Sequence, residues 1–197
     1  MPVAFGLVFL AAGCTAQAHS QPRSVRSSSQ RQHASGSSPR ASIPRPQGPC
    51  HELKVTFGEP ISPVAGEEGF TLSFENASRS VCSLQGYPEI SLFGANGRLP
   101  FAWIDGQSPG PYFLRRSPGA VVLAPGHAAH VLVAKYRCDL GDVASAKTVA
   151  IRVAGTPGQA TTLRLAADLS YCRGGPKSPG NTVGVTPFVT SISSVVP

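Results

Sequence analysis

From Leu53 onward, large apolar residues fall at every second position, and each such run is closed by glycine or proline. Phe70, Leu72 and Phe74 alternate with Thr71, Ser73 and Glu75, and Leu53, Val55 and Phe57 do the same upstream. A repeat of two residues is the period of a strand with one buried face, and a helix cannot use it. Ile90 and Leu92 lead into Asn96-Gly97, which predicts a type I′ hairpin with a return strand over Leu99–Ile104. Further strands are expected over Ala120–Leu123, Ala128–Tyr136, Val149–Val153, Thr161–Asp168 and Val183–Val189, with one helical turn over Leu140–Lys147. Gly and Pro supply 40 of the 197 residues and only 14% are charged, a composition unlike a helical bundle or coiled coil. Seven to nine short strands in one domain point to an all-β, antiparallel β-sandwich.

Five cysteines are present: Cys14, Cys50, Cys82, Cys138 and Cys172. The last four are separated by 32, 56 and 34 positions and form no C-x-x-C pair, which suits neither a zinc ribbon nor a dithiol redox site. In an exported chain an even set implies disulfides. Of the three possible connectivities, the sequential one, Cys50–Cys82 and Cys138–Cys172, is expected, because each bridge then closes a loop holding one or two strands.

Residues 2–13 are almost continuously apolar. Twelve helical residues span about 18 Å, well short of the roughly 30 Å hydrocarbon core, and match the apolar region of a signal peptide. The end of the run, Leu10-Ala11-Ala12-Gly13-Cys14, resembles a bacterial lipobox, which implies diacylglycerol on the Cys14 thiol and cleavage before it. Leu10 stands four residues before the cysteine where the lipobox leucine stands three, and the first cation is Arg23. Ala16-Gln17-Ala18 offers a competing A-x-A site that would release a soluble protein beginning at His19. Residues 14–49 then form a Ser-, Arg-, Pro- and Gln-rich stretch with five arginines and no acid, expected to be a disordered tether. The net charge of +7 is thus mostly in this stretch, and residues 50–197 carry only +2, from twelve Lys/Arg against ten Asp/Glu. A nucleic-acid partner is not expected.

Cys82-Ser83-Leu84-Gln85-Gly86-Tyr87-Pro88 resembles the C-x-L-x-G-Y-P signature of a family of actinobacterial secreted proteins and lipoproteins, known as domain of unknown function 4232. Asn76 before the motif, Leu123-Ala124-Pro125-Gly126 before a long strand, and the positions of Cys138 and Cys172 extend the resemblance from Cys50 to about Val189. It implies an immunoglobulin-like sandwich and supplies no catalytic residues. Within the motif, Gly86 suits a conformation closed to other residues, Tyr87 an aromatic ring with a polar tip, and Pro88 the start of the next strand.

Three chemical motifs are set aside. Gly106-Gln107-Ser108-Pro109-Gly110 matches a nucleophile elbow, but Pro109 has no N–H to give an oxyanion hole. His127 and His130 would face opposite sides of a strand, so no metal or other cofactor is expected. Gly174-Gly175-Pro176-Lys177-Ser178 lacks the glycine and helix of a phosphate loop. A candidate ligand surface is the loop Asp105–Tyr112 with Trp103, Tyr112, Phe113, Arg115 and Arg116, since aromatic residues and arginine on a loop are typical interface anchors. The expected organisation is a signal peptide (1–13), a lipidated Cys14 with its tether (14–49) and a β-sandwich (50–197). The expected role is that of a membrane-anchored, non-catalytic envelope module that binds an envelope protein or polymer. The alternative is a soluble secreted hydrolase or metal-dependent enzyme.

Overall fold

A computed structural model describes residues 45–46, 48–59, 61, 66–106, 115–139, 141–156, 158 and 160–196. The signal segment, Cys14 and nearly all of the tether lie outside these residues, as do Tyr112, Phe113 and residues 107–110 of the G-x-S-x-G match. Among the described residues, no helix is long and apolar enough to cross a membrane.

Eleven strands are present: β1 (Leu53–Phe57), β2 (Glu67–Asn76), β3 (Cys82–Leu84), β4 (Glu89–Gly94), β5 (Gly97–Arg98), β6 (Ala102–Asp105), β7 (Val121–Leu123), β8 (Ala128–Tyr136), β9 (Asp142–Arg152), β10 (Thr161–Cys172) and β11 (Thr182–Val185). They form a five-stranded sheet, β1-β2-β8-β11-β6, a four-stranded sheet, β10-β9-β4-β5, and the small pair β3-β7. The period-two residues of β2, β8 and β11 (Leu72, Phe74, Val131, Val133, Val183 and Val185) are buried in one core with Ile90 and Leu92 of β4 and Val149 and Ile151 of β9. Two sheets sharing one apolar layer make the chain a β-sandwich.

Three expectations are corrected. The segment expected as a helical turn, over Leu140–Lys147, is instead the first half of β9 from Asp142 onward. Ala144 and Ala146 are paired across the ladder with Tyr171 and Leu169, so large partners fill the volume that the alanines leave, and cross-strand packing overrides alanine's helix preference. The hairpin is not type I′. Its central residues are Ala95 and Asn96, neither has positive φ, and Gly97 carries the positive φ of 112°. The return strand is not Leu99–Ile104 but the two residues of β5, Gly97–Arg98, and it ends at Leu99-Pro100-Phe101. Pro100 has no N–H for the ladder, and the chain crosses to the other sheet, where β6 pairs with β11 in parallel. That parallel pair is the departure from an all-antiparallel sandwich.

Both disulfides have the sequential connectivity, Cys50–Cys82 and Cys138–Cys172. Cys50 is tied in addition by its N–H to Ser83 O, while Ser83 N–H donates to Gly48 O, so the start of the domain is fastened to β3. Gly86 has φ of 83°, Tyr87 is half-buried, and buried Pro88 directly precedes β4.

The corner ahead of the motif is held by Asn76, which is 1% exposed. Its side-chain amide donates to Ser80 O at 2.8 Å and Leu123 O at 3.1 Å, and its Oδ1 accepts from the Ser78 N–H and hydroxyl. Asn76 is therefore an internal clamp between β2 and β7. Asn76→Ala removes four hydrogen bonds at this corner, and should destabilise the domain by about 2–4 kcal/mol, at roughly 0.5–1.5 for each bond and least for the one to exposed Ser80. Urea unfolding of the two chains measures this, and a change under 1 kcal/mol would refute the clamp.

Candidate functional site

The expected ligand surface is described only in part. Trp103 lies on β6, half-buried and packed against the main core, while Arg115 and Arg116 are exposed. Burial pushes the Tyr87 hydroxyl pKa up, Asp105 adds to the rise, and Arg115 opposes it, so these three groups share one neighbourhood. His130 is on β8, whose Leu132 and Ala134 pack under the C-terminal segment around Val189 and Val195. His127 is exposed just before that strand. Among the described residues, no three of His, Cys, Asp and Glu gather as a metal-binding group.

A concavity that the sequence did not announce lies on the side of the sandwich where edge strands β1 and β10 face each other. It arises from an irregularity in β10. The ladder with β9 is regular to Arg164↔Thr148 and resumes at Leu169↔Ala146, so residues 165–168 bulge from the sheet. Bulges of this kind end regular pairing and often border functional sites. Between the bulge and β1-β2 opens a cleft of about 420 Å³ lined by Phe57, Ile61, Phe70, Leu165, Ala167 and Leu169, with Glu59, Glu68, Arg137 and Asp168 as its charged residues. This volume is within the range of small-molecule sites. Phe57 and Phe70 meet edge to face at 5.8 Å, which fixes one wall.

The polar part of the wall is built from inside. Glu68 of β2 and Lys135 of β8 are directly paired across the ladder. The Lys135 ammonium bonds Glu68 Oε1 at 2.5 Å and Tyr136 O at 2.6 Å, and the Ser170 N–H of β10 donates to the same Oε1 at 3.1 Å. One carboxylate thus links the two sheets. The Lys135 side chain is 0% exposed and that of Glu68 17%, so the carboxylate faces the cleft and shields the amine behind it. Burial lowers the Lys135 pKa, and the bond and charge of Glu68 partly restore it. Neighbouring Glu67 is buried with Oε2 lacking a hydrogen-bond partner, and desolvation raises its pKa. Asp168 is held at the rim by Lys147 at 2.6 Å, and Arg137 donates through Nε to Glu67 O.

Among curated proteins and among solved structures, none matches this chain. The family model described as "Domain of unknown function (DUF4232)" matches residues 49–189, which span both disulfides, the C-x-L-x-G-Y-P corner and the cleft; the chain belongs to this family.

Proposed function

We propose that this chain is an extracytoplasmic lipoprotein, anchored through acyl chains on Cys14, whose β-sandwich is a non-catalytic binding module of the cell envelope. The observation that carries the reading is the pair of disulfides, Cys50–Cys82 and Cys138–Cys172, since such bridges persist in oxidising compartments outside the cytoplasm. The apolar run ending at Cys14 supports export and attachment. One acyl chain holds a protein at a membrane only marginally, whereas two or three hold it firmly. The arginine-bearing stretch from 15 to 49 separates the proposed anchor from the sandwich along the chain.

Cys14→Ser tests the anchor. The substituted protein should move from the membrane fraction to the soluble fraction, and continued membrane association would overturn the anchor. The Ala16-Gln17-Ala18 site favours one second reading, release as a soluble secreted protein. Mass spectrometry of the mature N-terminus separates them: an acylated Cys14 for the first, an unmodified His19 for the second.

A further inference from the structure

We infer that the cleft between β1-β2 and the β10 bulge binds a compact apolar molecule bearing a hydrogen-bond donor, such as a hydrophobic amine, and discriminates against the corresponding anion. The inference rests on the reading of this chain as a binding module, and gives that module a site and a ligand chemistry.

The shape argues for a compact ligand. A peptide strand added to the free edge of β10 would have to follow the ladder through residues 165–168, where pairing is interrupted, and bulges are a device by which sheet edges avoid strand addition. The same bulge provides depth, with Leu165 and Leu169 opposite Phe57 and Phe70.

The charge argues for a donor. Glu59, Glu68 and Asp168 are among the residues that line the cleft, and Arg137 is the one cation lining it among the described residues. Two of those acids are paired with lysines that are not themselves lining residues. Lys135 is fully enclosed behind Glu68, and Lys147 reaches Asp168 on the exposed surface. Arg137 gives its Nε–H to Glu67 O and keeps its terminal N–H groups, one cation against three acidic residues. A ligand N–H therefore meets acceptors, whereas a ligand anion entering this low-dielectric space meets carboxylates and loses its hydration.

Two dyes with one ring skeleton test this. N-phenylnaphthylamine is an uncharged aromatic amine, and anilinonaphthalene sulfonate is the same framework carrying an anion. Each is titrated by fluorescence into the full-length Cys14→Ser chain, which needs no detergent that would itself take up dye. The amine should bind saturably and at least about tenfold more tightly than the sulfonate. Ala167→Trp and, separately, Ala166→Trp place an indole at the cleft from exposed bulge positions outside the β9–β10 pairing. Each should lower amine affinity at least about tenfold while leaving the unfolding midpoint within a few degrees. No saturable binding of the amine, equal or tighter binding of the sulfonate, or amine binding unchanged in both tryptophan variants overturns the proposal. Dye binding reports on the cleft whether or not Cys14 carries lipid, so it fails independently of the fractionation test.

Discussion

A chain with Cys50, Cys82, Cys138 and Cys172 all replaced by alanine is expected to show no cooperative unfolding transition at 37 °C. The bridges join residues 32 and 34 positions apart, and loop-closure entropy assigns each about 3.7 kcal/mol. Their sum, about 7 kcal/mol, lies within the whole net stability of an ordinary domain, about 5–15 kcal/mol. Removing one bridge should leave a folded but weakened protein, with the midpoint lowered by about 7–15 °C at 2–4 °C per kcal/mol. Packing adds to this, because Cys50, Cys82 and Cys172 are buried. The local tethers differ. At one bridge, Cys50 and Ser83 keep their backbone bonds. At the other, buried Asn181 accepts from Cys172 N–H and donates to Cys172 O and Gly175 O. Both corners therefore retain native contacts when reduced, which is why single removals weaken rather than abolish folding. Scanning calorimetry of the three variants decides the matter, and a four-alanine chain melting within a few degrees of the parent would show that the core alone suffices.

The strands that were legible are those whose inward residues are large. Phe70, Leu72 and Phe74 in β2 declare a period of two by themselves, Val131-Leu132-Val133-Ala134 in β8 are an unbroken apolar run, and the cysteine spacing favours the sequential pairing. Where inward residues are small, the alternation cannot be seen. Ala144 and Ala146 carry no strand signal of their own, and their fit depends on Tyr171 and Leu169 in a neighbouring strand. The parallel β6–β11 pair was also hidden, because Pro100 marks a break in a strand without saying which sheet the chain enters next. The cleft was hidden for a related reason. The strand expected over Thr161–Asp168 continues through Leu169 and Tyr171 to Cys172, and only the register with β9 reveals the extra residues at the bulge. Glu68 and Lys135 give no signal of their own, since nothing local in the chain sets them opposite each other on an inward face.

That inward pair yields the second large effect. Glu68→Leu is expected to destabilise the domain by about 3–5 kcal/mol, the cost of leaving a buried charge without its partner. Lys135→Met should cost distinctly less, because Glu68 keeps the Ser170 N–H and part of its side chain remains open to the cleft. The double substitution should return close to the parent, since apolar replacement of an enclosed ion pair is often neutral, giving strong non-additivity in the cycle. The pH dependence identifies the charge as the cause. Burial makes folded Lys135 release its proton at lower pH than the unfolded chain, whose lysine titrates near 10.4. Between those two pKa values the unfolded state binds more protons, so stability rises with pH. Without Glu68 the folded pKa falls further and the window widens downward. The deficit of Glu68→Leu should therefore shrink between about pH 7 and pH 9, while that of Glu68→Leu/Lys135→Met stays flat. Urea midpoints at the two pH values measure both, and a deficit independent of pH would assign the loss to packing rather than to the stranded ammonium.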